Sequence, residues 1–310
     1  MTKGNVLALI IIGLLSLLGA LKLYQMFSYS SCNCPLCNGK YILDEYISQG
    51  GFGSIYKVYN KKTNQYYALK MIKVDEICDA NEAQSEAKRL RELNHNYIVS
   101  YYDDFIHEDT TYISPNLSSL YVCIVMELCS TDIETYLLNL ETYVDENELY
   151  KYSYQIISAL QYCHQKNIIH RDIKPSNIFI KENKCKLGDF GLSTQVKNSY
   201  TLISDVGTSI YKAPETFLGG EYDGKKADVF SLGLSLLQII ADIDIENETE
   251  GGIPAVKLIT TPNYINTLIS YIPTLYTDNI TIMFQHMLDP SPQTRYSTEE
   301  LLQFPWLSSS

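Results

Sequence analysis

The spacing of apolar residues changes once along this chain, near residue 130, and this change constrains the fold more than any other feature. From about Tyr41 to about Met126, short alternating runs predict strands, and one helical pattern interrupts them. After about Thr131 the apolar residues recur at helical spacing. The strand runs are YILDEYIS, SIYKVYN, QYYALKMIKV, IVSYYDDFI and LYVCIVME, and the helical runs are DANEAQSEAKRLREL, DENELYKYSYQIISALQYCHQ and KKADVFSLGLSLLQIIAD. We therefore expect an α+β chain, with a small β-rich lobe followed by a larger helical lobe.

The length and the charge of the chain restrict its partners. At 310 residues the chain is long enough for two lobes, each with its own hydrophobic core. Its formal net charge of -12 argues against a nucleic-acid partner, because an acidic surface repels the phosphate backbone. We therefore expect that the chain binds no nucleic acid.

An apolar run lies close to the amino terminus. Residues 6–21 are VLALIIIGLLSLLGAL, with Lys3 before the run and Lys22 after it. A membrane-spanning helix usually needs about 20 apolar residues, and the Lys22 side chain can reach the interface while apolar residues up to Phe27 extend the span. Residues 1–27 are thus expected to form one transmembrane helix. A cleaved signal peptide would need a small-residue cleavage site, and a core helix would need a partner surface.

The eight cysteines form two groups. Those in the body of the chain have irregular spacing, which fits reduced cysteines that act as small hydrophobic residues of a cytosolic domain better than it fits a disulfide framework. Three others lie close together in a linker, residues 28–40, where they could accept palmitate beside a membrane, bind a metal or have no role; zinc would need a fourth ligand. The first group is Cys78, Cys123, Cys129, Cys163 and Cys185, and the second is Cys32, Cys34 and Cys37.

A charged stretch lies inside an apolar one at residues 168–180, IIHRDIKPSNIFI. A solvated loop would not need the β-branched residues on both sides, and a buried strand would not contain the charges. The pattern predicts a polar hairpin on a rigid apolar support.

Three further clusters contain residue types that suit phosphate chemistry. Gly50, Gly51 and Gly53 form a turn between two strands, where bare backbone N–H groups can approach phosphate oxygens, although a plain β-turn has the same pattern. Lys70 lies in an apolar strand, where it needs a carboxylate or phosphate unless it faces outward; Glu86 on the following helix is the natural partner. Asp189 precedes a glycine hinge in KLGDFGLS.

In this order, the four clusters resemble the eukaryotic protein kinases, from about Tyr41 to about Leu307. The resemblance implies a kinase domain at 41–307, with an N-lobe at 41–129 and a C-lobe at 130–307. It also implies transfer of the γ-phosphate of ATP, with Mg²⁺, to protein substrates. The motif wording is similar to that of kinases of the alpha subunit of translation initiation factor two, Wee-type kinases and NIMA-related kinases.

The resemblance assigns roles to individual residues. Asp172 would accept or orient the substrate hydroxyl, Lys174 would neutralise the transferring phosphoryl group, and Asn177 with Asp189 would hold Mg²⁺. Ser48 replaces the first family glycine, which implies a stiffer loop. The nucleotide site would comprise Ile47, Ser48, Gly50, Gly51, Phe52, Gly53, Ile55, Ala68, Lys70, Glu86, Met126, Glu127, Cys129, Phe179 and Asp189.

Other positions agree with the family. Asp228 resembles the buried acid that ties the catalytic loop to a central helix, and Glu215 should pair with Arg295. Phe230 stands where tryptophan is usual, which is a structural difference. Lys174 and Thr208 imply that the substrates carry Ser or Thr rather than Tyr.

We consider two functions for a chain with these residues. One is an active, membrane-anchored serine/threonine kinase whose domain faces the cytosol, where ATP is available. The other is a pseudokinase scaffold, which the intact metal and base residues disfavour.

Overall fold

The computed structural model describes residues 36, 39–51, 53–109, 119–140, 144–196, 200–202, 206–241 and 263–308. The chain divides into two compact units. The first comprises Met1–Glu92 and Tyr101–Leu128, and the second comprises Leu93–Ser100 and Cys129–Ser310.

The first unit is built on a five-stranded antiparallel sheet. Its spatial order is β1-β2-β3-β5-β4, so that β3, which contains Lys70, is central and is paired on both sides. The strands are β1 (Tyr41–Gly50), β2 (Gly53–Asn60), β3 (Gln65–Val74), β4 (Tyr101–Asp109) and β5 (Ser119–Met126).

One helix, α1 (Ile77–Glu92), follows β3. Its buried residues recur every three or four positions, as expected for a helix that places one stripe against a core. Glu86 is the single acid in this buried stripe, and Ala80, Ala83, Ala87 and Leu90 are its apolar members.

The second unit is mainly helical. Its short strands form three small sheets within the described residues. The first contains β6 (Thr131–Asp132), β8 (Ile178–Lys181) and β9 (Lys184–Leu187). In the other two, β7 (Ile168–Ile169) pairs with β10 (Thr194–Gln195), and β11 (Tyr200–Leu202) pairs with β12 (Tyr222–Asp223). The helices are α2 (Ile133–Leu138), α3 (Glu146–Gln165), α4 (Gly224–Ala241), α5 (Tyr264–Ser270), α6 (Asp278–Met287), α7 (Thr298–Leu302) and α8 (Pro305–Ser308).

The two long helices of this unit follow from their sequences. The carboxylate of Asp145 caps α3 by accepting hydrogen bonds from the backbone nitrogens of Asn147 and Glu148 at 2.8 and 3.1 Å. Helix α4 is apolar almost all round and is buried on nearly every side, as its sequence predicts.

The predicted strands and helices of both units are confirmed, with one difference at β4. The sequence pattern placed its start near Ile98, whereas the strand begins at Tyr101. Residues 93–100 belong to the second unit, where the backbone nitrogen of Val99 donates to the Leu187 carbonyl at 3.0 Å. The alternating pattern therefore continues across a boundary between two units.

The amino-terminal predictions fall outside the described part of the chain. Residues 1–27 and the cysteines at 32, 34 and 37 are not described. Among the helices of the ranges given above, none combines the length and the apolar character that crossing a bilayer requires. In the body of the chain, Cys163 and Cys185 carry free thiols that are fully buried, and burial raises the pKa of both. With Cys123, they are apolar core residues with free thiols, as predicted, whereas Cys78 is exposed and Cys129 is half-buried.

Candidate active site

The charged loop between β7 and β8 is fixed by one carboxylate of α4. Asp228 is 2% exposed and accepts hydrogen bonds from the backbone nitrogens of His170 and Arg171, each at 2.8 Å. The ring of His164 donates to the same carboxylate at 2.9 Å. Arg171 adopts φ +69°, a conformation that a non-glycine residue keeps only where its surroundings impose it. Asp228 therefore ties this loop to the central helix, as expected.

The Asp172 carboxylate accepts hydrogen bonds at both oxygens. Oδ1 accepts from the backbone nitrogen and the hydroxyl of Thr208, at 2.9 and 2.7 Å. Oδ2 accepts from the Asn177 amide at 3.0 Å and lies 3.2 Å from the ammonium of Lys174. Asp172 is 6% exposed. The contacts with Thr208, Asn177 and Lys174 hold its carboxylate in one orientation.

This environment keeps Asp172 ionised. Burial by itself would raise the pKa of the carboxyl group, but the hydrogen bonds from Thr208 and the positive charge of Lys174 outweigh it. The net result is a pKa below the ordinary value of an aspartate. At neutral pH the group can therefore accept a hydrogen bond or a proton.

Lys174 and Thr208 complete a closed network around this carboxylate. The Lys174 ammonium donates to the Thr208 hydroxyl at 2.9 Å, and that hydroxyl donates to Asp172. Thr208 approaches so closely because Gly207 precedes it: Gly207 has φ +97°, and a Cβ there would lie 2.2 Å from the Arg171 carbonyl oxygen. Sequence reasoning gave Gly207 no role, because a glycine before a threonine is compatible with many turns.

Asn177, at the end of this loop, and Asp189, two residues after β9, are two side chains that can offer oxygen ligands to a cation. The backbone nitrogen of Gly188 donates to the Asn177 carbonyl at 3.0 Å, so the residue before Asp189 is bonded to Asn177. The Asn177 amide nitrogen is used by Asp172, which leaves the amide oxygen as its donor to a cation. Such a pair fits Mg²⁺, which proteins bind through one or two carboxylates together with substrate phosphates and water.

His170 is a further residue that sequence reasoning left without a role. Its ring is fully buried, donates from Nε2 to the Gly188 carbonyl at 2.9 Å and packs edge-on against Phe190 at 4.8 Å. Its Nδ1 accepts from the backbone nitrogen of Asp172 at 3.3 Å. His170 therefore connects the Asp172 segment to the Asp189 segment. Its position between the apolar pair Ile168 and Ile169 and the charged residues Arg171 and Asp172 was the available signal.

In the first unit, Lys70 and Glu86 form the expected pair. The Lys70 ammonium lies 2.8 Å from Glu86 Oε1, and the two side chains are 5% and 3% exposed. Because both side chains are buried, the pair places each charge beside an opposite one, which offsets part of the cost of removing it from water. Ala68 lies beside Met126 in the register of β3 and β5, and Glu127 is buried.

The glycine turn joins β1 to β2. Gly50 is paired with Gly53, and Gly53 has φ +146°, where a Cβ would lie 2.3 Å from the Met71 carbonyl oxygen. Only glycine fits that close approach. Ser48 lies opposite Ile55 in the same hairpin, and Phe52 is outside the described residues.

The predicted site residues thus occur as two groups, one in each unit. The first unit contributes the glycine turn, the Lys70–Glu86 pair and the residues named on β1, β2, β3 and β5. In the second unit, Asp172, Lys174 and Asn177 contact one another directly, and Phe179 lies on β8, on the carboxyl side of this loop.

Comparison with known proteins shows the family of this chain. The protein kinase domain family matches residues 41–307. This chain belongs to the protein kinase family. The predicted resemblance to eukaryotic serine/threonine protein kinases, including the NIMA-related kinases, is confirmed.

Kinases of several organisms are similar to this kinase domain. Sperm motility kinase 2B of Mus musculus is 28% identical over 87% of this chain and 52% of its own length. Probable serine/threonine-protein kinase nek2 of Dictyostelium discoideum is 32% identical over 84% of this chain and 61% of its own. Serine/threonine-protein kinase Nek3 of Oryza sativa subsp. japonica is 31% identical over 86% and 44%, respectively. The chain spans about half the length of the curated relatives it matches.

The kinase domain also contains the expected buried ion pair of the second unit. Arg295 donates from Nη1 and Nη2 to the two oxygens of Glu215 at 2.6 and 3.0 Å, and its side chain has no exposed surface. The guanidinium lies 4.9 Å from the centre of the Phe230 ring, so phenylalanine supplies an aromatic face here. The backbone carbonyls of Lys226 and Asp289 accept its remaining hydrogen bonds.

Proposed function

We propose that this chain is a serine/threonine protein kinase that transfers the γ-phosphoryl group of ATP to protein substrates. The observation that carries the proposal is the orientation of the ionised Asp172 carboxylate by Thr208, Asn177 and Lys174. Phosphoryl transfer needs a fixed base, fixed cations and metal-binding oxygens on a stiff frame. This loop has all three within a few residues.

In the proposed reaction, the substrate hydroxyl oxygen forms a bond to the γ-phosphorus as the bond to the bridging β,γ-oxygen breaks, and ADP leaves. The hydroxyl proton passes to the Asp172 carboxylate, which is available at neutral pH because its pKa is lowered. Lys174 lies 3.2 Å from that carboxylate, close enough to neutralise charge on the transferring group.

We assign nucleotide binding to the glycine turn and to Lys70. Backbone N–H groups of the turn would approach phosphate oxygens, and Lys70, held by Glu86 at 2.8 Å, would contact the α- and β-phosphates. Asn177 and Asp189 would hold Mg²⁺. When bound, Mg²⁺ supplies positive charge that neutralises the phosphate oxygens.

The choice of hydroxyl follows from the distance between Asp172 and Thr208. The Thr208 hydroxyl lies 2.7 Å from Asp172 Oδ1, and Lys174 donates to the same hydroxyl. This closed network favours a short aliphatic alcohol near the base, since a tyrosine ring would hold its oxygen farther out.

On a degenerate peptide array, the purified chain with Mg²⁺ and ATP is expected to label Ser and Thr peptides well above Tyr peptides. Incorporation of labelled phosphate measures this, and matched peptides that differ only in the acceptor residue serve as controls. Dominant labelling of Tyr would contradict the proposed substrate class, and absence of labelling on every peptide would contradict the activity.

We further propose that residues 1–27 anchor the chain in a membrane and that the kinase domain faces the cytosol. The support is the apolar run at 6–21 and the requirement of the reaction for ATP. We propose that three cysteines of the linker, Cys32, Cys34 and Cys37, accept palmitate beside the bilayer, because their sequence positions closely follow the apolar run.

The full-length chain is expected to remain in the membrane fraction after alkaline carbonate extraction, and the chain without residues 1–27 to remain in the supernatant. Substitution of two lysines at Ile11 and Ile12 should have the same effect as the deletion, because each charge at the centre of a bilayer costs about 2.5–3.5 kcal/mol. Immunoblotting of the two fractions measures the distribution. A full-length chain found in the supernatant would overturn the anchor.

A further inference from the structure

The five-stranded sheet has a buried apolar cluster on one face, and one of its members comes from outside the strands. We refer to this set as the outer-face cluster. All its members are at most 6% exposed, and Leu36, at 3%, precedes β1 and lies before the matched kinase domain. The members are Leu36, Tyr41, Val58, Tyr67, Leu69, Phe105, Cys123 and Val125.

The strand register places this cluster on the face opposite Lys70. Leu69 is paired with Val125, and Cys123 with Phe105, so these residues share one side of the sheet. Lys70 is next to Leu69 in β3, and its side chain therefore points to the other side, where Glu86 of α1 meets it. Packing on the outer face thus lies directly behind the lysine proposed to bind ATP.

Lys40 and Tyr41, which come after Leu36 in the chain, are held to the sheet by polar contacts. The backbone nitrogen of Tyr41 donates to the Leu36 carbonyl at 3.5 Å, and the Tyr41 hydroxyl donates to Asp103 at 2.9 Å. Lys40 forms an ion pair with the same Asp103, and its carbonyl accepts from the Lys61 nitrogen at 3.1 Å. The Tyr41 ring also stacks on Phe105 at 5.7 Å.

Leu36 keeps this position in an unfavourable backbone conformation. Its φ of +67° lies in the left-handed region, which leucine rarely adopts. A residue keeps such an unfavourable backbone conformation only where its surroundings impose it. Here the surroundings are the outer-face cluster, in which Leu36 is packed.

We propose that Leu36 docks the segment preceding the kinase domain onto the outer face of the sheet and acts as a positioning residue for ATP binding. The occupant of this face is the chain's own Leu36, which lies before the matched kinase domain. By completing the packing against Leu69 and its neighbours, Leu36 holds β3 in the position from which Lys70 meets the phosphates. The inference rests on the proposed nucleotide role of Lys70. It makes Leu36, a residue before the matched kinase domain, part of the packing that supports ATP binding.

The test compares full-length variants, all purified in the same detergent. Leu36→Ser removes the apolar contact, and Leu36→Met retains it. Leu43→Ser is the matched control, because Leu43 is paired with Val58 on the same face but is 45% exposed. The measurements are the Kd for Mg-ATP by direct binding of a fluorescent analogue, the KM for ATP, kcat and the midpoint of thermal unfolding.

Leu36→Ser is expected to raise both the Kd and the KM for ATP about threefold or more, with kcat changed less than about twofold, since the base and its network lie in the second unit. Its unfolding midpoint should fall by about 5 °C or more, as for loss of a buried leucine. Leu36→Met should behave as the unsubstituted chain in every measurement, and Leu43→Ser should do so as well.

Three results would overturn the inference. A lower midpoint with an unchanged Kd for ATP would refute the positioning role, and a Leu36→Ser variant indistinguishable from Leu43→Ser would refute the docking. If Leu36→Met weakened ATP binding as much as Leu36→Ser does, the apolar contact of Leu36 would not be the cause of the effect on ATP binding. If Leu36→Ser fails to fold, Leu36→Ala is judged by the same criteria. An unsubstituted chain that binds ATP without transferring phosphate would overturn the proposed function. In that case the Kd for Mg-ATP of the variants would still decide whether Leu36 positions the site for ATP.

Discussion

Replacing Asp172 with asparagine is expected to lower kcat by about 100-fold or more and to leave the Kd for Mg-ATP within about twofold of the unsubstituted value. The substitution preserves the shape of the side chain, and its amide oxygen can still accept a hydrogen bond from Thr208. It removes the negative charge and the ability to take the proton of the substrate hydroxyl. The loss therefore falls on the chemical step.

Single-turnover phosphorylation of a Ser peptide separates this loss from binding, because it measures the chemical step directly. Asp278→Asn is the matched control, since Asp278 is exposed at the first turn of α6 in the same unit. The control should retain full activity. An Asp172→Asn variant with near-normal turnover would show that Asp172 is not the base, even if the chain is a kinase.

The second large effect is on stability. Glu215→Gln is expected to lower the free energy of unfolding by about 3–5 kcal/mol, because it leaves the guanidinium of Arg295 buried without a counter-ion. Arg295 has no exposed side-chain surface, so water cannot replace the lost carboxylate in the folded state. The double variant Glu215→Gln/Arg295→Met should regain part of the loss, since it removes the unpaired charge.

Chemical unfolding followed by tryptophan fluorescence measures this effect. The chain has a single tryptophan, Trp306, which donates to Glu146 at 3.1 Å and lies 5.5 Å from the ring of Tyr150, all within the second unit. Glu299→Gln is the control, because Glu299 is exposed, and we expect a change of less than about 0.5 kcal/mol. Equal stability of Glu215→Gln and Glu299→Gln would mean that the pair does not support the fold.

The relation between sequence and site differs from residue to residue. Lys70 and Glu86 could be paired from the sequence, because a charged residue inside an apolar strand or a buried helical stripe needs a partner, and each lies in an element with a clear period. The role of Asp172 came from its motif and from the resemblance. Its contact with Thr208 is a bond between residues 36 positions apart, and no local pattern gives its geometry.

Two details of the site depend on backbone conformations that spacing does not encode. Gly207 adopts φ +97°, which allows Thr208 to reach the Asp172 carboxylate. Arg171 adopts φ +69°, and its backbone nitrogen and that of His170 both donate to the Asp228 carboxylate. A glycine before a threonine is compatible with many turns. The close approach of Gly207 to the Arg171 carbonyl arises only when the two segments pack together.

The sequence by itself determined the order and type of the elements, because a period of two or of 3.6 residues is a local property of strands and helices. It also determined which residues could perform phosphoryl transfer, since residue type and motif order are local as well. Tertiary structure alone decided where β4 starts, because residues 93–100 belong to the second unit. There the backbone nitrogen of Val99 donates to the carbonyl of Leu187 in β9. Tertiary structure alone also decided that Leu36, in a polar, cysteine-rich linker, is a core residue. The physical reason is that burial depends on which distant surface a side chain meets, and that surface forms only when the strands of the sheet assemble.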